Sequence, residues 1–269
     1  MKHPIDINDR VILVTGADGL IGRTISEAFL QQGAKVVLAD IKHHDSRELV
    51  STFSDEQFLV QHLDITNEES CAQAVAATVE KFGRIDVLIN NAAIDAKFDK
   101  ESSGTVNPSR FEFYPVDLLR KSVEVNLTGT IIITQHVCRQ MLKQNSGHII
   151  NVASTYSMVA PNQSLYDFGE GTLNFKPIDY IASKSFVPNF TRYVATFYSK
   201  DGIRCNAIVP HAIFNNHDEA FLKNFARLSP MGRMCNREEL VGPFVFLASE
   251  ASSYMTGSVL TVDGGWTAW

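Results

Sequence analysis

Clustered cysteines are absent from this chain of 269 residues. The four that it has are widely spaced and form no Cys-x-x-Cys pair: Cys71, Cys138, Cys205 and Cys235. This spacing argues against a disulfide framework and against a metal held by cysteine. No other grouping of metal-ligating residue types stands out in the sequence. We therefore predict no metal site, and reduced, buried cysteines in a cytoplasmic protein.

Long apolar runs and basic runs are also missing. No stretch approaches the roughly 20 apolar residues that a membrane helix needs. The opening residues, MKHPIDINDR, are polar and do not resemble a signal or transit peptide. The 24 lysines and arginines are scattered among 30 acidic residues, giving a formal net charge of −6. We therefore expect no membrane and no nucleic acid among the partners.

Strand-type and helix-type segments alternate along the whole chain. The strand-type segments are continuous apolar runs, which are typical of parallel strands buried on both faces. Strands are predicted at residues 11–15, 35–40, 58–63, 87–90, 148–152, 204–209 and 259–262. Helices are predicted at residues 20–32, 67–82, 118–143, 181–198 and 237–247. The pattern predicts an α/β fold, with one doubly wound parallel sheet of Rossmann type and helices on both faces.

Three irregular stretches are predicted to be active-site loops, because they follow strands and so lie at the carboxyl edge of the sheet. They lie near residues 96–115, 155–179 and 210–227. The first two are polar, and they also contain aromatic residues that equally fit an apolar pocket: Phe98, Phe111, Phe113, Tyr166, Phe168 and Phe175.

Three glycines end the first predicted strand, in the stretch TGADGLIG at residues 15–22. Glycines at a strand-to-helix turn let a phosphate approach the free N–H groups of the helix N-terminus. The spacing of Gly16, Gly19 and Gly22 is G-x-x-G-x-x-G, which differs from the common G-x-G-x-x-G. Taken alone, these glycines also fit a plain βα turn.

Asp40 ends the second predicted strand, about 20 residues beyond the glycines. A carboxylate at this position accepts hydrogen bonds from the ribose hydroxyls of adenosine and repels a 2′-phosphate. The sequence therefore favours NAD(H) over NADP(H). Lys42, His43 and His44 follow directly and could soften this preference, and a surface aspartate at a strand end is the alternative.

Six motifs, in matching order, resemble the short-chain dehydrogenase/reductase family over nearly the whole chain. They are HLDIT (62–66), NNAA (90–93), VEVNLTG with Asn126, INVAS with Ser154, YIASK with Tyr180 and Lys184, and GSVLTVDGG (257–265). The resemblance implies one NAD(P)-binding domain over residues 1–269. It also implies a cofactor site formed by Gly16, Asp18, Gly19, Leu20, Ile21, Gly22, Asp40, Asp64, Ile65, Asn91, Ala92, Ala93, Tyr180, Lys184, Pro210 and Ile213.

The resemblance further implies a catalytic set of Asn126, Ser154, Tyr180 and Lys184. Tyr180 and Lys184 share one face of a helix, so the ammonium and a positive nicotinamide are expected to lower the phenol's pKa. Tyr180 would then exchange a proton with the substrate oxygen, which Ser154 orients. Lys184 would also bind the nicotinamide ribose, and Asn126 would support a water that leads to Lys184. Taken separately, each residue also fits a structural role.

Three features depart from the family's compact branch, and two of them point towards sugar chemistry. The glycine spacing, and the separation of Ser154 and Tyr180 by 26 positions, resemble the extended branch of sugar-nucleotide epimerases and dehydratases. The enlarged loop resembles that of oxidoreductases associated with flagellin or surface-glycan modification. The third departure is His211, which stands where the family has glycine after Pro210; we expect it to face solvent, and contact with the substrate is the alternative.

The leading interpretation is an NAD(H)-dependent oxidoreductase that acts on a secondary alcohol or ketone of a carbohydrate-like small molecule. The alternatives are an epimerase or dehydratase with tightly bound NAD, and a non-catalytic NAD-binding regulator. Apolar helices near residues 126–141 and 180–198 predict a homodimer or homotetramer. Trp266 and Trp269 look exposed, and they would pack against a neighbouring subunit or cover the chain's own pocket.

Overall fold

The sheet in the computed structural model has the parallel, doubly wound arrangement that the sequence predicts. The structure describes residues 3–42, 49–95, 107–166 and 175–269. Within these residues seven parallel strands lie in the order β3-β2-β1-β4-β5-β6-β7. They are β1 (Val11–Thr15), β2 (Lys35–Asp40), β3 (Phe58–His62), β4 (Val87–Asn90), β5 (Gly147–Val152), β6 (Ile203–Pro210) and β7 (Val259–Val262). The α/β fold class is thereby confirmed.

Helices cover both faces of this sheet. In the described ranges they are α1 (Leu20–Gln31), α2 (Glu68–Phe82), α3 (Val116–Val123), α4 (Thr130–Gln144), α5 (Ile178–Ser185), α6 (Val187–Tyr198), α7 (Glu219–Leu228) and α8 (Val241–Ala248). None of the helices in the described part of the chain is long and apolar enough to span a membrane.

Successive residues of β1 bury their side chains on opposite faces, as the two-residue period of a strand requires. Ile12 and Val14 pack into a core with Phe29 of α1 and Phe244 of α8. Leu13 packs into a second core with residues of α2, α4 and α6. Burial of each such side chain contributes about 2 kcal/mol to folding. The continuous apolar strands of the sequence thus have a core on each side.

Three predicted helices differ from the observed ones. The predicted helix 118–143 is two helices joined by a π-helical segment, Glu124–Gly129. A Cβ on Gly129 would lie 2.7 Å from Ile65 Cγ1, so the chain passes close to the loop after β3 at this point. The predicted helix 181–198 is interrupted at Phe186, and Pro188 occupies the first turn of α6. The predicted helix 237–247 begins as a 3₁₀ turn, Arg237–Leu240.

Candidate active site

A cleft of about 900 Å³ opens at the carboxyl ends of the strands. The following residues of the predicted site line it: Gly16, Gly19, Leu20, Ile21, Asp40, Asn91, Ala92, Ala93, Ser154, Tyr180, Lys184, Pro210 and Ile213. Asp18, Gly22, Asp64, Ile65 and Asn126 lie outside its lining. The structure therefore brings most of the predicted set together around one cavity.

The glycine loop is held by the segment that follows β4. Gly16 has a φ of +65°, which favours glycine, and a Cβ there would lie 2.7 Å from Ala92 Cα. The Asn91 side-chain amide donates to the carbonyls of Thr15 and Gly16, at 3.0 and 2.9 Å. The Thr15 hydroxyl accepts from the backbone amides of Asn91 and Ala92, both at 3.0 Å. The NNAA motif thus fixes the shape of the glycine loop.

Gly19 is the N-cap of α1 and has no side chain to cap the helix. The N–H groups at the start of the helix therefore face the cleft without an acceptor from the cap residue. Gly22 lies where this helix passes closest to the glycine loop. A Cβ on Gly22 would lie 2.1 Å from the Gly16 carbonyl oxygen. The loop and the helix end therefore form a cradle of backbone groups that fits a pyrophosphate.

Replacing Gly22 with alanine is expected to lower the free energy of unfolding by about 2 kcal/mol, because the added methyl group meets rigid backbone. Chemical denaturation measures this change. Gly242→Ala in α8 is the matched control, since a Cβ there meets nothing within 4 Å. An equally stable Gly22→Ala protein would contradict this account of the loop.

Asp40 lies at the edge of the cleft, where two backbone amides orient it. Its Oδ2 accepts from the amide of Asp18, and its Oδ1 accepts from the amide of Lys42, both at 3.0 Å. Each carboxylate oxygen retains a second lone pair for a ribose hydroxyl. His43 and His44 lie outside the described residues.

Asp64 and Ile65 do not line the cleft, and their side chains contact neighbouring residues of the chain instead. Asp64 Oδ1 accepts from the backbone amide and the hydroxyl of Thr66, at 2.9 and 2.7 Å. Ile65 is buried against the π-helical segment at Gly129. Their contact with a cofactor stays a prediction.

Ser154, Tyr180 and Lys184 meet on the floor of the cleft despite the long insertion between the first two. Ser154 follows β5, and its side chain acts to lower the pKa of Tyr180 across the cleft floor. Lys184 is one turn beyond Tyr180 on α5, and its Nζ donates to the Val152 carbonyl at 2.8 Å. The three groups thus surround a point where a substrate oxygen and a cofactor can meet.

Burial controls the acidity of these groups in the protein chain itself. It raises the pKa of Tyr180 to about 12, and the Ser154 hydrogen bond offsets only part of this rise. Burial also lowers the pKa of Lys184 to about 8, against the opposing charge of Asp95. In the chain without cofactor, desolvation of the phenolate dominates, and the predicted lowering of the pKa by Lys184 together with a positive nicotinamide stays a prediction.

Asn126 lies in the π-helical segment and links two parts of the site. Its Oδ1 accepts from the Ile94 amide at 2.7 Å, and its Nδ2 donates to the Ile94 carbonyl at 2.8 Å and to Ser183 Oγ at 2.9 Å. Ser122 Oγ of α3 donates to the buried carboxylate of Asp179 at 2.6 Å. Both contacts fix α5, on which Tyr180 stands. The predicted role of Asn126 in a water path stays a prediction.

An ion pair at the cleft was not predicted from the sequence. Lys176 Nζ lies 2.6 and 2.9 Å from the two carboxylate oxygens of Asp95, and 4.1 Å from the centroid of the Tyr180 ring. Lys176 belongs to a predicted active-site loop, and Asp95 immediately precedes another. Lys176 and Asp95 are distant in sequence, so their ion pair could not be predicted from a local pattern. The sequence indicated only that both residues lie in or beside predicted active-site loops.

His211 and Trp266 are buried, contrary to expectation, with 6% and 8% of their surfaces exposed. Their rings lie 4.3 Å apart, and His211 Nδ1 is hydrogen-bonded to the Thr155 hydroxyl. Residues in loops are commonly exposed, but packing against aromatic side chains buries these two. Trp269 is 81% exposed, as expected.

The aromatic residues of the predicted loops divide between the cleft and the surface. Tyr166 and Phe175 line the cleft, and so does Tyr156, which sequence reasoning missed. Phe111 and Phe113 are exposed. Phe98 and Phe168 lie outside the described residues, as do the middle parts of the first two predicted loops.

A glycine loop at a helix N-terminus, a carboxylate at the end of the neighbouring strand and a Ser-Tyr-Lys set in one cleft are the arrangement of a nicotinamide-dependent oxidoreductase of Rossmann type. The comparisons with known proteins agree. A family model described as enoyl-(acyl carrier protein) reductase matches residues 16–267. The chain belongs to the short-chain dehydrogenase/reductase family.

Two curated relatives are similar over nearly their whole length. The 7alpha-hydroxysteroid dehydrogenase of Bacteroides fragilis is 32% identical, covering 96% of this chain and 95% of the relative. The NAD-dependent glycerol dehydrogenase of Listeria innocua is 31% identical, covering 97% and 95%. The relatives are dehydrogenases of alcohols, so the chain is an oxidoreductase.

Two crystal structures that carry nicotinamide cofactors are also similar. A short-chain dehydrogenase from Leptospira borgpetersenii with bound NAD+ is 29% identical, with a TM-score of 0.84 over 99% of this chain and 96% of that one. A gluconate 5-dehydrogenase from Burkholderia cenocepacia, in complex with NADP and tartrate, is 27% identical, with a TM-score of 0.84 over 99% and 100%. The fold therefore accommodates either cofactor, and the choice rests on this chain's own residues.

Proposed function

We propose that this enzyme transfers a hydride between NAD(H) and a secondary alcohol or ketone of a sugar-like substrate. The observation that carries the proposal is that Ser154, Tyr180 and Lys184 line the same cleft as the glycine loop. Loss of a hydride and a proton from adjacent atoms requires a base and a hydride acceptor in one place, and this cleft sets Tyr180 beside a loop that fits the cofactor.

Each polar group has a separate task in this proposal. The bound nicotinamide supplies the hydride acceptor at its C4 carbon. Tyr180 takes the hydroxyl proton of the alcohol at its phenol oxygen, or returns it to a carbonyl. Ser154 donates to the substrate oxygen and holds it in line. The Lys184 ammonium binds the nicotinamide ribose and favours the Tyr180 phenolate once a positive nicotinamide is beside it.

The cofactor is NAD(H) because Asp40 carries its charge where the adenosine ribose is expected. The remaining cofactor residues predicted from the sequence belong to the same proposal, with Ile213 offering backbone groups to the carboxamide. The names of the Listeria relative and the Leptospira structure agree with NAD, and that of the Burkholderia structure with NADP.

The substrate is a hydroxylated small molecule. The cleft presents phenol hydroxyls of Tyr156 and Tyr166 beside apolar rings, a lining that suits a ring with several oxygens. The named substrates of two similar proteins, glycerol and gluconate, are polyhydroxylated. The loop resemblance to oxidoreductases of glycan modification adds support to a carbohydrate-like substrate.

Two or four copies of the chain are proposed to associate through α4 and α6. Tyr193 and Phe197 of α6 are 62% and 60% exposed, and their rings lie 5.8 Å apart. An exposed aromatic pair on one helix face suits contact with a second copy.

A panel of sugars, sugar phosphates and ring alcohols, tested with NAD and NADP by NADH or NADPH absorbance, examines the proposal. We expect turnover of a hydroxylated substrate with a kcat/KM for NAD at least about tenfold above that for NADP. Product formation with no net change in absorbance would indicate an epimerase instead. A preference for NADP would contradict the role of Asp40.

A further inference from the structure

Tyr156, which is buried, and Tyr166, which is partly buried, form a pair of phenols that the proposed reaction does not use. Their hydroxyl oxygens lie 3.0 Å apart. Two phenols carry two protons, and the bond between them uses one. The described residues offer no further partner to either hydroxyl, so one O–H remains to be donated to a third oxygen.

These phenols lie close to the reacting groups. The ring of Tyr156 is edge-on to that of Tyr180, with the centroids 6.4 Å apart. Tyr166 reaches into the same cleft from the 3₁₀ turn Gln163–Tyr166. A six-membered ring whose reacting oxygen meets Ser154 and Tyr180 therefore comes within reach of the phenol pair.

His211 holds this pair in place. Its backbone amide donates to the Val262 carbonyl at 3.2 Å, and its Nδ1 is hydrogen-bonded to Thr155, the residue before Tyr156. The imidazole ring also lies edge-on against Tyr156, at 5.9 Å. The family has glycine at this position, so the support is a departure specific to this chain.

The surroundings of the pair are uncharged. Burial raises the pKa of both phenols above the ordinary value and lowers that of His211 to about 4, so all three are neutral at pH 7. Leu165, Phe221 and Met234 complete this end of the cleft. The nearby charges of Asp95 and Lys176 are paired with each other. An uncharged ring therefore fits better than an anionic one.

We propose that Tyr156 and Tyr166 form a subsite for a second oxygen of the substrate, so that the enzyme prefers a ring with two oxygens to the same ring with one. The inference rests on the proposed function, because it assumes an alcohol held at Ser154 and Tyr180. His211 acts as a positioning residue for the subsite.

The test compares cyclohexanol with cyclohexane-1,2-, 1,3- and 1,4-diol under NAD. The kcat/KM of the best diol is first divided by two, because the diol has two equivalent hydroxyls. The corrected value is expected to exceed the kcat/KM of cyclohexanol by about tenfold, which is what one added hydrogen bond contributes. Tyr166→Phe, which removes only the hydroxyl, brings the ratio close to one. Tyr156→Phe has the same effect, and it serves as the second variant should one of them fold poorly.

Tyr254→Phe, which removes the hydroxyl of a fully exposed side chain, is the matched control and keeps the wild-type ratio. Equal kcat/KM for diols and cyclohexanol in the wild type contradicts the subsite and leaves the proposed function intact. A folded Tyr166→Phe protein that keeps the full preference for the diol does the same. Absence of turnover with every ring alcohol contradicts the proposed function on this substrate class, and the subsite with it.

Discussion

Tyr180→Phe is expected to lower kcat by about 10³-fold, because it removes the hydroxyl that takes the substrate proton and leaves the ring in place. Initial rates at saturating NAD and substrate measure the effect. NADH binding, followed by fluorescence, is expected to stay within about threefold of wild type, because the glycine loop and Asp40 are untouched.

The control for this change is again Tyr254→Phe, which removes an exposed phenol hydroxyl and is expected to leave kcat unchanged. A Tyr180→Phe protein that retained a tenth of the wild-type rate would contradict the assignment of Tyr180 as the proton-transfer group. Full biological activity of the same variant would favour the non-catalytic regulator over an enzyme.

Asp40→Asn is expected to shift the ratio of kcat/KM for NAD to that for NADP by about 10²-fold towards NADP. The change removes the repulsion of a 2′-phosphate and weakens the charge-assisted hydrogen bonds to the ribose hydroxyls, each worth about 1.5–3 kcal/mol. An asparagine oxygen can still accept from the Asp18 or Lys42 amide, so the local turn is retained. Steady-state kinetics with both cofactors give the ratio.

Asp117→Asn is the matched control, since the Asp117 side chain is 91% exposed on α3 and paired only with Arg120 on the surface. It is expected to leave the ratio unchanged. An Asp40→Asn protein with the wild-type ratio would show that cofactor choice lies elsewhere on the chain.

The strands were predictable because each is an apolar run that must be buried on both faces. The glycine loop was predictable because its backbone conformation requires glycine. Gly16 has a positive φ and Gly22 has no room for a Cβ, so both positions are recognisable in the sequence as glycines. The short motifs around Ser154 and Tyr180 likewise placed the reacting groups without knowledge of the loop between them.

What the sequence did not reveal depends on contacts between distant residues. The burial of His211 depends on Trp266 and Phe225, which come from the C-terminal turn and α7. The raised pKa of Tyr180 depends on how much of the surrounding chain excludes water, which the four-residue spacing of Tyr180 and Lys184 on α5 does not express. The predicted helix 118–143 is interrupted where it passes close to Ile65, a residue of the loop after β3.

The contacts that Asn126 makes with Ile94 and Ser183, and the bond from Ser122 to Asp179, anchor α5 to the body of the fold independently of the segment before it. Insertions between Ser154 and Tyr180 can therefore accumulate in evolution without displacing the reacting phenol. A longer loop changes the walls of the cleft and leaves Tyr180 in place.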